Sequence, residues 1–339
     1  VAVVLIQATI FIFLVKTYSP DFEDQANTGY SAIMVFFLAC LLVAIKLSGV
    51  IFAFMAILLL MPCIKTSYSK YKRAYLTSFL IGSYFIAVHL LRGVLLSGLP
   101  LYPSTLGAIW NVDWSVTRAQ AIDEANWIYS WARDASKTPA EVLGSWAWFP
   151  VWAESFMNER WRYVYGALLL TLIDFLSLFI SKNNKEENRL FALFVPFFFA
   201  IIFWFFTAPD WRFLGAIPQL VIALSGWIFI RRCLPGEVFS IANKLPSYTA
   251  SSFVALIILV MMAKTADFKT LPMSGWTAIP KVEVEIRETH SGLKIWVPLS
   301  GDQCWDAALP CAPKLNSDLH LRSTKTVEDS PNEGFSVQK

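Results

Sequence analysis

Long apolar stretches alternate along this chain with loops that are either basic or rich in tryptophan, and no other sequence feature restricts the fold as much. A helix needs about 20 apolar residues to cross a hydrocarbon core of roughly 30 Å. Hydropathy places such segments at Val1 to Val15, within Ser31 to Ile64, and at Ala74 to Val94, Arg162 to Ile180, Leu190 to Thr207, Phe213 to Ile230 and Tyr248 to Ala263. The Ser31 to Ile64 run would measure about 50 Å as a single helix, so it is split at Lys46-Leu47-Ser48-Gly49 into two short spans. The expected fold is therefore an all-α transmembrane bundle of about eight membrane helices, with an external juxtamembrane helical segment and a small C-terminal β-containing tail. Composition agrees, with 56% hydrophobic residues, 16% charged residues and a mean hydropathy of +0.52. The net charge of +3 gives no reason to expect nucleic acid as a partner.

Loop charge predicts the orientation, because short cytoplasmic loops collect lysine and arginine. Lys65, Lys70, Lys72 and Arg73 form one cluster, Lys182, Lys185 and Arg189 a second, and Arg231, Arg232 and Lys244 a third. Counting spans between them puts all three on the inner side. The same parity puts the Lys46 turn, the Gly93 to Trp161 segment, the Ala208 to Trp211 loop and everything after Lys264 outside.

The expected organisation is membrane helices over 1–92, an external tryptophan-rich segment over 93–161, membrane helices over 162–264, a hairpin and disulfide region over 265–322, and a disordered tail over 323–339. The external segment carries Trp110, Trp114, Trp127, Trp131, Trp146, Trp148, Trp152 and Trp161. Indole rings favour the headgroup layer, since the ring is apolar and its N–H seeks a polar partner. From Val116 to Ala135 the spacing of Ile122, Ala125, Ile128 and Trp131, opposite Arg118, Glu124 and Arg133, predicts a helix that can lie flat on a membrane. The aromatics either anchor loops at the interface or line a groove for a lipid substrate.

After Lys264 two short alternating runs, Lys281 to Arg287 and Gly292 to Val297, predict a β-hairpin around Thr289 to Gly292. Cys304 and Cys311, seven residues apart on the expected outside, predict a small disulfide loop. Cys40, Cys63 and Cys233 read as small apolar side chains. From Ser323 the chain is polar, with Pro and Gly and no apolar period.

The sequence holds no Gly-rich phosphate loop, no nucleophile elbow and no paired histidines at metal-ligand spacing. Ionisable residues near the expected outer face are the remaining candidates, because charge at membrane depth is costly and usually meets a cavity or a partner. Lys46 could meet a lipid phosphate or snorkel to the interface. Arg92, at the end of a span, has the same two readings. In Asp210-Trp211-Arg212 the guanidinium would hold a phosphate bidentately while the carboxylate would bind a divalent cation or a sugar hydroxyl. A local salt bridge would use the same two residues. Asp113 and Trp114 could contact a sugar by hydrogen bonding and stacking, or form an ordinary turn. His89 and Asp174 read as polar residues in helix packing.

A resemblance rests on the run from Arg92-Gly93 through Leu99-Pro100-Leu101-Tyr102-Pro103-Ser104-Thr105, on Val112-Asp113-Trp114, on Ala208-Pro209-Asp210-Trp211-Arg212-Phe213, and on Gly301-Asp302-Gln303-Cys304-Trp305 through Leu309-Pro310-Cys311. These strings resemble a family of large bacterial membrane proteins that are in turn similar to the GT-C superfamily, which transfers sugars from polyprenyl-phosphate carriers on the external membrane face. The resemblance implies a multi-pass bacterial inner-membrane protein with its C-terminus in the periplasm. The lipid bilayer and a polyprenyl-phosphate-linked sugar would be its partners, and a cell-envelope molecule its acceptor. Lys46, Arg92 and Arg212 would stabilise the leaving phosphate, Asp113 and Asp210 would contact the donor or a metal, and Tyr102 and Trp114 would contact the substrate. GT-C enzymes carry their catalytic carboxylate in the first external loop, and Val1 opens within an apolar helix, so the base is expected upstream of this sequence. A transporter or flippase of lipid-linked glycans, and a noncatalytic subunit of an envelope-assembly complex, are the alternatives.

Overall fold

In the computed structural model the described residues are 2–18, 25–108, 112–158, 166, 169, 185–233, 279–322 and 334–337. Their helices are α1 (Ala2–Tyr18), α2 (Gln25–Ile45), α3 (Val50–Ser97), α4 (Arg118–Trp131), α5 (Pro139–Val142), α6 (149–158), α7 (Lys185–Ala192), α8 (Val195–Thr207), α9 (Trp211–Leu214) and α10 (Ile217–Cys233). Two antiparallel pairs follow, β1 (Val284–Glu288) with β2 (Lys294–Pro298), and β3 (Leu319–Leu321) with β4 (Phe335–Val337).

The break expected at Lys46 is present. Lys46 adopts an extended conformation (φ −150°, ψ 111°) and a 3-10 turn, Leu47–Gly49, leads into α3. Gly49 is required there because a Cβ would lie 2.8 Å from the Leu42 side chain. Helix α3 then differs from expectation. Lys65, Lys70, Lys72 and Arg73 lie within it rather than in a loop. Lysine and arginine are good helix formers, so the cluster stays helical on either side of Tyr71.

The long run is not straight, for Tyr71 departs from helical geometry (φ −114°, ψ 22°). The pairings require the chain to double back at that point. Gly29 faces Ser67 and Tyr71, Ser78 donates to the Ile33 carbonyl, Gly82 faces Cys40, and His89 Nδ1 lies 2.8 Å from the Ala44 carbonyl oxygen. The second half of α3 therefore ascends beside α2 in the same direction. His89 is a helix-packing residue, as its sequence context suggested.

The expectation of about eight membrane helices is corrected by the structure. Among the described residues two helical runs are long and apolar enough to cross a membrane, Leu47–Ser97 and Arg189–Thr207. Three further apolar helices, Ala2–Tyr18, Gly29–Ile45 and Ile217–Phe229, are shorter. Hydropathy alone treats every apolar stretch as an independent full-length span, whereas two of them fall within α3 on either side of Tyr71 and three others are shorter. The spans expected over Arg162 to Ile180 and Tyr248 to Ala263, with Asp174, lie outside the described residues.

The chain forms two units, one from 1–91 and 122–262, the other from 92–121 and 263–339. The core of the first unit is built from α1, α2, the first half of α3, α7, α8 and α10 around Ile10, Leu14, Leu42, Phe52, Leu60, Phe197, Leu220 and Leu224. Phe197 is its hub, with ring centroids 5.8 Å from Phe11 and 5.4 Å from Phe52.

In the second unit the chain leaves α3 through Gly98 (φ 75°), whose N–H bonds the Val94 carbonyl in the usual left-handed helix exit. The expected hairpin turn is there, with Gly292 donating to Thr289 and Thr289 to Leu293. Strand β2 alternates, burying Ile295 and Val297 against Leu315, Leu319, Leu321 and Phe335. Phe335 belongs to β4, so at least that part of the tail expected to be disordered is paired strand. Its apolar residues, Phe335 and Val337, alternate too briefly for a periodicity reading to register.

Cys304 and Cys311 form the expected disulfide, with Cα atoms 6.1 Å apart. The loop is fastened to β2, since Trp296 donates to Pro310 and Ala312 donates to Trp296. Closing so short a loop should contribute about 2–3 kcal/mol on a chain-entropy basis. Cys304→Ser is accordingly expected to raise protease sensitivity around the β1–β2 hairpin, read by limited proteolysis, while leaving α1 to α10 intact by far-UV circular dichroism.

Candidate functional site

Asp210, Trp211 and Arg212 form a turn whose shape is dictated by its own hydrogen bonds. Asp210 caps the one-turn helix α9, its Oδ1 accepting from the Arg212 backbone N–H (2.8 Å) and the Arg212 Nε (3.0 Å). Its N–H bonds the Ala208 carbonyl, and its own carbonyl accepts from Phe213. Two tryptophans hold the turn from outside it, Trp152 Nε1 donating to the Pro209 carbonyl and Trp204 Nε1 to the Asp210 carbonyl, both at 2.7 Å.

Lys46 arrives at the same place from the far end of the sequence. Its ammonium donates to the Arg212 carbonyl (2.5 Å) and sits 5.0 Å over the Phe213 ring, while Ser48 Oγ donates to the Phe213 carbonyl. Burial pushes the Lys46 ammonium below its ordinary range, and the Arg212 charge pushes it further, with Asp210 opposing. The Arg212 guanidinium lies 4.3 Å over Trp131, with its side chain 61% exposed. Among the described residues no hydrogen bond engages its two terminal nitrogens. Lys46, Asp210 and Arg212 thus present two cations and one carboxylate, a net positive, aromatic-walled site suited to an anion. Their sequence separation of 166 residues hid this convergence from sequence reasoning.

Gly215 closes the turn at φ 63°, ψ −124°, a conformation open to glycine alone. A Cβ there would lie 2.3 Å from Gln7 Oε1, and that oxygen accepts from the Ala216 N–H at 2.7 Å. Gln7, buried in α1, is a supporting residue that the sequence did not single out, because one polar residue in an apolar helix carries no partner information.

The other expected residues belong to the second unit. Asp113 forms a two-point ion pair with Arg322, at 2.8 and 3.2 Å, and its carbonyl accepts from Val337. Arg322 lies 5.0 Å over Trp114, whose indole donates to the Val94 carbonyl. Both residues therefore fasten β3 and β4, a use no local motif signalled. The pair is partly exposed, so Asp113→Ala is expected to cost less than about 1 kcal/mol, read as a small fall in Tm. Arg92 and Tyr102 are exposed, Arg92 on the last turns of α3 and Tyr102 in the loop after it.

Near the first turn, the segment after α4 is pinned by carboxylates. Asp134 accepts from Ser136 Oγ (2.6 Å) and the Ser136 N–H (3.1 Å) and pairs with Lys137 (3.4 Å). The Ser136 bonds hold its carboxyl below the ordinary value of 3.8, with Lys137 adding to them. A depressed folded-state value stabilises the fold above the unfolded value and is lost as pH falls through the folded one. Asp134→Asn should therefore flatten the fall of Tm below about pH 4, measured beside the wild type by thermal shift.

Among the described residues no group of three or more His, Cys, Asp or Glu is placed to hold a metal ion. Asp210, the nominee for a divalent cation, accepts from Arg212 through its Oδ1. A family model for a domain of unknown function, DUF8201, matches residues 1–218. No curated protein and no solved structure matches the chain.

Proposed function

This chain belongs to the DUF8201 family, and from the turn at Lys46, Asp210 and Arg212 we propose that it is a GT-C-like membrane glycosyltransferase that takes a sugar from a polyprenyl-phosphate carrier and passes it to a cell-envelope acceptor. The observation that carries the reading is the convergence of Lys46 on the Arg212 backbone beside an exposed guanidinium. In an inverting transfer the acceptor hydroxyl attacks the anomeric carbon, the bond to the phosphate oxygen breaks, and polyprenyl phosphate leaves with the electron pair. The acceptor proton goes to a general base that we do not assign. Arg212 would bind the phosphate through its terminal nitrogens and Lys46 would add a second charge, both gaining strength as negative charge develops on the leaving oxygen. Trp131, 45% exposed beside the Arg212 guanidinium, offers an amphipathic ring suited to a headgroup layer.

Membrane residence is supported by the exposure of apolar helix surface. In the most apolar window of Leu47–Ser97 only 28% of residues are buried, and in that of Arg189–Thr207 33%. A water-soluble core helix would bury its apolar side chains, so Leu76, Phe79, Leu80, Val88 and Leu91 need another apolar medium. In this reading the protein is a multi-pass component of a bacterial inner membrane, with the turn and the C-terminus on the periplasmic side.

The test is native mass spectrometry of the protein purified in mild detergent. Copurifying polyprenyl phosphate, retained by the wild type and depleted in Arg212→Ala, is the expected result. Absence of polyprenyl lipid from both forms would sink the reading and leave a noncatalytic envelope subunit in its place.

A further inference from the structure

We propose that the cleft walled by Arg133, Trp146, Trp148, Phe205 and Phe206 is a second site, for an amphiphilic anion, with its acidic headgroup on the Arg133 guanidinium and its apolar part on Trp146. The cleft has a volume of 240 Å³, which suits a headgroup and the first few methylenes rather than a whole lipid. Arg133 donates to the Tyr129 carbonyl (2.7 Å) and the Phe206 carbonyl (3.0 Å), groups in the last turns of α4 and α8. Those bonds fix the guanidinium plane, which also lies 5.1 Å over Trp148. They use two of its five N–H donors, leaving donors for a ligand.

Among the described residues no carboxylate pairs with Arg133. The adjacent Asp134 is turned toward Ser136 and Lys137. Backbone carbonyls neutralise only a fraction of a unit charge, and burial disfavours the charged guanidinium. An anion in the cleft would complete the site, whereas a neutral apolar ligand would leave the cation unpaired in a drier environment.

The walls require the other half of the ligand. Trp146 and Phe206 are 60% and 62% exposed, and they meet edge to face, with ring centroids 6.4 Å apart. Val142 and Leu143 line the cleft as well. A small hydrophilic ion would leave this surface in water. A headgroup bearing a short chain covers it.

The proposal does not rest on the Lys46 and Arg212 turn, and the experiment keeps the two apart by using the Arg212→Ala background throughout. Dihexanoyl phosphatidic acid, dihexanoyl phosphatidylcholine and inorganic phosphate are titrated calorimetrically into the full chain in detergent. Phosphatidic acid should bind at one site, and at least about tenfold more tightly than either of the others, given the strength of charge-assisted hydrogen bonds. Arg133→Gln, which keeps a donor for the carbonyls, should weaken it about tenfold or more. Trp146→Ala removes a ring that is 60% exposed and stacks on Trp148, and should weaken binding severalfold with the far-UV circular dichroism spectrum unchanged. Unchanged affinity in both variants would overturn the proposal and leave Arg133 as a cap on two helix ends. Inorganic phosphate binding as tightly as phosphatidic acid would equally overturn it, in favour of a free-phosphate site.

Discussion

Replacing Gly215 with alanine is expected to destabilise the protein by about 2–6 kcal/mol, from about 1–3 for the strained backbone and a comparable amount for overpacking against a buried side chain. The backbone contribution follows from φ 63° and ψ −124°. The steric contribution follows from the 2.3 Å approach of the new Cβ to Gln7 Oε1. Gln7 cannot simply turn away, because its oxygen is the partner of the buried Ala216 N–H. Gln7→Ala by itself should cost about 1–3 kcal/mol through that unsatisfied donor. In the Gln7→Ala background Gly215→Ala should then cost only the backbone strain, so the two changes should be strongly non-additive. Apparent Tm in detergent across the four proteins measures this. Additive losses would show that α1 and the turn are not coupled through Gln7. Because Gly215 follows α9 directly, the same substitution should also displace Arg212 and lower lipid-phosphate retention.

How far the sequence was legible depends on the range of the interactions involved. The break at Lys46, helix α4, the β1–β2 turn and the Cys304–Cys311 disulfide are all local features. Composition and spacing carry them, because capping, turn chemistry and loop closure act over a few residues. The number of spans was not legible. Apolar periodicity does not distinguish a full crossing from a shorter helix packed on its neighbours, as with Ala2–Tyr18. Nor does a basic cluster distinguish a loop from helix, as with Lys65 to Arg73 inside α3. The nominated residues show the same division. The Asp210–Arg212 contact is visible from a separation of two residues. Asp113 meeting Arg322, and Lys46 meeting the Arg212 carbonyl, are properties of the folded chain alone. The sequence places Arg133 only on the polar face of a surface helix. Its bond to Phe206, 73 residues away, is what turns it into a candidate site.

Lys46 and Arg212 should behave as a coupled pair toward a lipid phosphate. Arg212→Ala removes the exposed guanidinium and is expected to weaken binding of a short-chain polyprenyl phosphate by roughly 10- to 100-fold, the range for losing one or two charge-assisted hydrogen bonds. Lys46→Met keeps most of the stem over Phe213 and removes the ammonium, and its loss should be smaller, about tenfold. In the free protein each cation raises the other's electrostatic cost, which is why the Arg212 charge helps push the Lys46 ammonium down. A bound phosphate reverses that balance by holding both cations to one dianion. Lys46→Glu should then do more damage than Lys46→Met, since it places a carboxylate beside the ligand and offers Arg212 a competing partner. Affinity should also fall as salt rises, because the Arg212 side chain is exposed. Native mass spectrometry or calorimetry on the three variants decides the matter. If Lys46→Glu binds polyprenyl phosphate as tightly as the wild type, the ammonium contributes only its hydrogen bond to the turn. The anion site would then reduce to Arg212 alone.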